Sequence, residues 1–166
     1  MEVTGVKGAS MIGKMKRVLG ILFLVLCLGG MSAVTVSAAE IMDDDLETDE
    51  DYAEDTAYSV LRGNNLNFGT TSITKVASNK VAISGVTQRH HVCGTVYLTL
   101  TLERKVNGTY STYKTWDYKA SNATNLAKSL NVLVPSGSYY RVRGYHAAKD
   151  GSKESVSTLT KGILVK

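Results

Sequence analysis

The 166 residues are 43% hydrophobic and 20% charged, with a formal charge of +4. Only Cys93 lies beyond position 38, which excludes a small exported scaffold held together by paired disulfides. The longest apolar run, Val18–Leu28, is about eleven residues, short of the roughly 20 that a membrane-spanning helix needs.

Residues 1–38 have the layout of a secretory signal. Lys14, Lys16 and Arg17 form a basic n-region, Val18–Leu28 the apolar segment, and Val36-Ser37-Ala38 a small-residue cleavage site. The expected product is secreted by a bacterium of the Gram-positive kind and keeps no stable membrane span. Beyond position 38 the charge is divided. Residues 40–55 hold ten acids and no base, whereas from Arg62 onward fifteen Lys and Arg face four acids, a balance of +11. Mutual repulsion among the ten carboxylates predicts a disordered acidic leader over 39–60. The same charge difference allows the leader to act as a mask over the basic domain, with a strength that falls with salt.

From Leu61 the composition turns to Thr, Ser, Val, Tyr and Gly, and short alternating runs are separated by Gly, Asn, Asp and Ser clusters. This spacing predicts an all-β domain over 61–166, an antiparallel β-sandwich of seven strands. The strands are expected near 65–74, 80–86, 92–106, 109–119, 126–134, 138–147 and 154–165. Val92, Gly94, Val96, Leu98, Leu100 and Leu102 fall on one side of the third strand and read as core. Asn107-Gly108 next to it is a strong two-residue hairpin turn. A two-residue loop pairs positions that sum to 215, so Leu102 meets Tyr113 and Thr99 meets Trp116. That register turns Thr115 and Asp117 inward and Trp116 outward, a conflict that a β-bulge would relieve. Leu126, Leu130, Val132 and Val134 supply a further core face, ended by Pro135. In the sixth strand Tyr140, Val142, Gly144 and His146 alternate with Tyr139, Arg141, Arg143 and Tyr145.

Leu133-Val134-Pro135, Tyr140-Arg141-Val142-Arg143 and Asp150-Gly151-Ser152 resemble the closing motifs of fibronectin type III and immunoglobulin-like domains. The resemblance implies that the strand at Tyr140 pairs with the one at Leu98. The chain also resembles an uncharacterised family of small secreted proteins of clostridial Gram-positive bacteria, a domain of unknown function. The residues that carry this are Arg62-Gly63-Asn64, Leu66-Asn67-Phe68-Gly69-Thr70-Thr71-Ser72-Ile73, His91-Val92-Cys93 and Tyr139–Gly144 with His146. It implies export and a compact domain, and lends no mechanism.

With those strands paired, Tyr97, Trp116, Tyr118, Tyr139, Arg141, Arg143 and Tyr145 are the candidate binding residues. Aromatics and arginines on a rigid sheet dominate protein interfaces, and flat rings also stack on sugars. Catalysis is not expected. His90 and His91 point to opposite faces of a strand, which disfavours a zinc site, and nothing positions an oxyanion hole for a Cys93, His91 and Asp117 hydrolase. Glu103, Asp117, Asp150 and Glu154 are too scattered for paired-carboxylate chemistry. The bases are spread over all strands without a nucleic-acid motif. The expected protein is therefore a non-catalytic module without cofactor or metal, binding a cell-envelope polymer, a glycan or a protein and no nucleic acid. The alternative is a bacteriocin-like antagonist restrained by its acidic leader.

Overall fold

Val96, Leu98, Leu100 and Leu102 are fully buried and alternate with Thr and Tyr, so their strand has one face in the core and one outside. A computed structural model describes residues 47–59, 65–92 and 94–166 and places ten strands among them. These are β1 (Glu47–Thr48), β2 (Tyr52–Tyr58), β3 (Leu66–Ala77), β4 (Lys80–Arg89), β5 (Thr95–Val106), β6 (Thr109–Ser121), β7 (Asn125–Leu133), β8 (Ser138–Asp150), β9 (Ser152–Leu159) and β10 (Gly162–Val165). The expected signal segment, the acidic residues up to 46, Arg62 and Cys93 lie outside the described residues. Among the described residues no helix is long and apolar enough to cross a membrane.

The strands form two sheets. One has the order β1-β10-β8-β5-β6, with β9 also on β8; the other runs β2-β3-β4-β7. Their inner faces share one apolar cluster, with Ile73, Val81 and Ile83 from the smaller sheet and Leu98, Leu100, Tyr140 and Val142 from the larger. The expected pairing of β5 with β8 is present, antiparallel, with Leu98 opposite His146 and Leu102 opposite Val142.

Seven strands become ten for two reasons. The expected last strand is divided: β9 and β10 pair with successive parts of β8, and Thr160 bridges the gap by donating its N–H to Val142 O and accepting Val142 N at Oγ1. The acidic segment supplies β1 and β2, which corrects the expectation of disorder for residues 47–59. All of β2 pairs with the edge of β3, along Phe68–Thr74, and its carboxylates find partners elsewhere in the fold. Asp55 Oδ2 accepts the Leu159 N–H at 2.7 Å, Asp51 pairs with Lys75, and Glu47 Oε1 accepts from Lys105 Nζ at 2.8 Å. Counting charge along the sequence records the repulsion but not these partners. Val92 is corrected as well. It is 60% exposed and precedes β5, because Gly94, at φ 61°, turns the chain first.

A buried polar chain crosses between the sheets. Thr71 Oγ1 donates to Thr158 Oγ1 at 2.8 Å, which leaves the Thr158 proton for His146 Nε2 at 3.0 Å. His146 Nδ1 meets Thr87 Oγ1 at 3.0 Å, and Thr87 in turn donates to the Tyr97 carbonyl. This order of donors makes the imidazole neutral, with its proton on Nδ1. Gly69 and Gly144 are required beside it, since a Cβ at either would run into the ring. Burial lowers the His146 pKa from 6.5 to about 4, against the opposing pull of the Val86 backbone and the Asp55 charge.

Between those two values only the unfolded chain takes up the proton. The associated stability is therefore intact above about pH 6.5, falls as the pH drops, and levels off below about pH 4, a loss of roughly 3 kcal/mol. Urea unfolding should give a steeper loss between pH 7 and 4 for the natural chain than for His146→Gln. Parallel profiles would contradict a buried neutral imidazole.

Candidate functional site

The outer face of the six-stranded sheet follows from the registers. Across β6, β5, β8 and β9 one row reads Lys119, Tyr97, Ala147 and Ser155, and the next reads Asp117, Thr99, Tyr145 and Ser157. Beyond the first row, Thr95, Lys149 and Lys153 stand side by side. Around these rows lies an open cleft of about 450 Å³, lined by Tyr97, Thr99, Asp117, Tyr118, Lys119, Tyr145 and Lys153.

Lys153 ties the cleft together. Its Nζ stands 4.9 Å from the Tyr97 ring centroid and 5.2 Å from that of Tyr145, a cation shared by two π faces. Hydrogen bonding to Ser155, then to Lys153, holds the Tyr145 hydroxyl below its ordinary pKa. On the far side Thr99 Oγ1 donates to Asp117 Oδ1 at 2.6 Å, which fixes that carboxylate and leaves it acceptor positions toward the cleft. Rings for stacking, a fixed acceptor and ammonium donors are what a polyhydroxylated ligand needs.

Of the seven residues expected from the sequence, Tyr97 and Tyr145 meet in this cleft from its outer face, and Tyr118 lines it from the edge strand β6. The expected outward placement of Trp116 and Tyr118 is corrected. The β5–β6 register sums to 215 from Val106↔Thr109 to Glu103↔Thr112, then shifts so that Leu102 faces Lys114, Leu100 faces Trp116 and Leu98 faces Tyr118. One extra residue in β6, at Tyr113, turns both rings to the core side, where they pack half-buried against the apolar cluster. Lys114 Nζ lies 5.3 Å from the Trp116 ring and Lys128 Nζ 5.4 Å from that of Tyr118.

Arg141 and Arg143 belong to a different arrangement. The buried Glu103 carboxylate takes Arg141 Nε at 2.6 Å on one oxygen and Arg143 Nε at 2.9 Å on the other. Arg141 is only 6% exposed and its guanidinium lies 3.9 Å over the Tyr110 ring, so it is consumed by structure. Arg143 remains half exposed. Tyr139 sits six residues along β8 from Tyr145, roughly 20 Å away, and pairs with Leu164 of β10. His91 Nε2 lies 3.8 Å from Asp150, not with Asp117, and no metal-holding group of three or more His, Cys, Asp or Glu occurs among the described residues.

Thr99 was already expected on this outer surface, whereas Lys119, Lys153 and the outward-facing Asp117 were missed. Lys153 falls just before the expected strand at 154–165; continuing the β8 pairing through the turn at Gly151 sets it opposite Lys149. Asp117 and Lys119 move to the outer face with the same one-residue shift that moves Trp116 inward.

Replacing Glu103 by Ala removes the carboxylate from the buried Arg141 and should destabilise the fold by about 3 kcal/mol. Glu103→Gln, which keeps one acceptor, should cost less. Equal unfolding midpoints for Glu103→Ala and the natural chain would show that this ion pair does not hold β5 to β8.

Among curated proteins no match is found. Among solved structures the chain is similar to Spo0M, the sporulation control protein from Bacillus subtilis, at 9% identity and a TM-score of 0.36. That similarity covers 69% of this chain and 50% of the other, so the chain spans about half the length of that protein. A family model described as a family of unknown function matches residues 37–162, from before β1 to the first residue of β10. Because that match takes in most of the sequence, acidic segment included, the chain belongs to DUF6147, a family of unknown function.

Proposed function

We propose that this is an exported, non-catalytic binding module of a Gram-positive bacterium, and that the cleft between Tyr97 and Tyr145 holds a glycan or polymer chain of the cell envelope. The single observation that carries this reading is the cleft itself, about 450 Å³ on a rigid sheet, with two tyrosine rings at one side and the Thr99-fixed Asp117 carboxylate at the other. The basic, apolar and small-residue succession across Lys14–Ala38 supports export. Asp117 is the one carboxylate lining the cleft, so it has no second acid with which to share proton transfer, and this favours binding over hydrolysis.

We read the seven strands β3–β9 as a fibronectin type III-like sandwich. The orders β3-β4-β7 and β6-β5-β8-β9 support this, as does the hydroxyl of Tyr140 at the start of β8, which donates to the Pro135 carbonyl five residues upstream at 2.7 Å. The antagonist reading, with the acidic segment as a mask, is the weaker one. β1 and β2 are paired into both sheets, and a removable mask would not be expected to complete the edge of β3.

Tyr145→Ala and Tyr97→Ala truncate side chains on the outer face, where stability depends little on them. Each should weaken binding of the full chain to isolated Gram-positive cell walls by about tenfold or more, while the melting temperature changes little. Unchanged wall binding in both variants would contradict this function.

A further inference from the structure

Both tyrosine rings of the cleft are already engaged by one cation. A neutral sugar stacking on Tyr97 and Tyr145 would have to move Lys153 Nζ away from two ring centroids, at 4.9 and 5.2 Å, and offer it only uncharged hydroxyl acceptors in return. An anionic ligand keeps the ammonium where it is and pairs with it. Lys153 is also not alone. The register puts Lys149 directly opposite it and Lys119 opposite Tyr97 on the same face, and none of the three is in an ion pair with a carboxylate among the described residues. The cleft's one acid, Asp117, already accepts the Thr99 hydroxyl.

The kind of anion follows from the kind of base. Arginine presents a planar fork that grips carboxylates and phosphates alike, but Arg141 and Arg143, in the rows next along from Tyr145, are already held by Glu103. Lysine is a point charge, suited to tetrahedral phosphate oxygens approached from many directions. Lys119 on β6 and Lys153 on β9 are three strand spacings apart, roughly 14 Å at the backbone. That span calls for successive charges along a chain, which one free phosphate does not supply. Resting on the reading of the cleft as an envelope-polymer site, we infer that its ligand is a polyol phosphate chain, its phosphodiesters on Lys119, Lys149 and Lys153 and its hydroxyls on Asp117.

The test is calorimetric titration of the full chain with poly(glycerol phosphate), polygalacturonate, a neutral chitooligosaccharide and inorganic phosphate, at ~0.05 and ~0.5 M salt. Poly(glycerol phosphate) should bind tightest, lose affinity at the higher salt, and bind about tenfold more weakly to Lys153→Met. Lys80→Gln, which removes the same charge from the four-stranded sheet, should stay within about twofold. Neutral oligosaccharide bound as tightly, and indifferent to Lys153→Met, would overturn the inference and leave the cleft as a glycan site. Tighter binding of polygalacturonate or of inorganic phosphate would overturn the assignment to a polyol phosphate chain. An equal loss in Lys80→Gln would reduce the effect to overall charge. Absence of binding by all four would overturn this inference and the proposed function together.

Discussion

The pairing of β5 with β8 is the constraint on which the rest of the molecule depends. It sets Leu98, Leu100 and Leu102 beside His146, Gly144 and Val142 on the inner face, and Tyr97, Thr99 and Thr101 beside Ala147, Tyr145 and Arg143 on the outer one. Because side chains alternate with period two, a slip of one residue would send three fully buried leucines to solvent, at roughly 2 kcal/mol each. The hydrophobic inner face thus fixes the outer face, and the cleft follows from core packing. Arg141 and Arg143 on Glu103 reinforce the same register from outside, and the His146 threonine chain reinforces it from inside.

Much of this was legible in the sequence because it depends on local alternation. The inner stripe of β5, the core residues Leu126, Val132 and Val134, the inward set Tyr140, Val142 and His146, and the Asn107-Gly108 turn all lie where period and turn chemistry put them, the two turn residues at φ 52° and 83°. The site was legible only in part. Tyr97 and Tyr145 follow from the best-determined strand pair. Trp116 and Tyr118 depend on a bulge, and the choice between register 215 and 216 is made by the burial of an aromatic ring and not by the turn. The turn demands the first register near Val106, while burial of Trp116 against the core demands the second. A bulge satisfies both.

The acidic segment was misread for a related reason. Its ten carboxylates repel one another along the chain, yet Glu47, Asp51 and Asp55 each reach a donor that only the folded domain brings near. Tyr52, Thr56 and Tyr58 are good strand formers, Ala53 is buried, and β3 has an edge for them to complete. Long-range pairing of this kind leaves no periodic trace in a short polar stretch. The opposite charge of the rest of the domain was visible in composition, and it is what makes that pairing favourable.

Backbone and side-chain chemical shifts of the full chain, followed during titration with poly(glycerol phosphate), test the assignment of this face most directly. The changes should centre on Tyr97, Lys119, Tyr145 and Lys153, with the Trp116 indole unmoved. Changes concentrated on Trp116, or at the Tyr139 end of β8, would show that the wrong face or the wrong end of the sheet had been assigned.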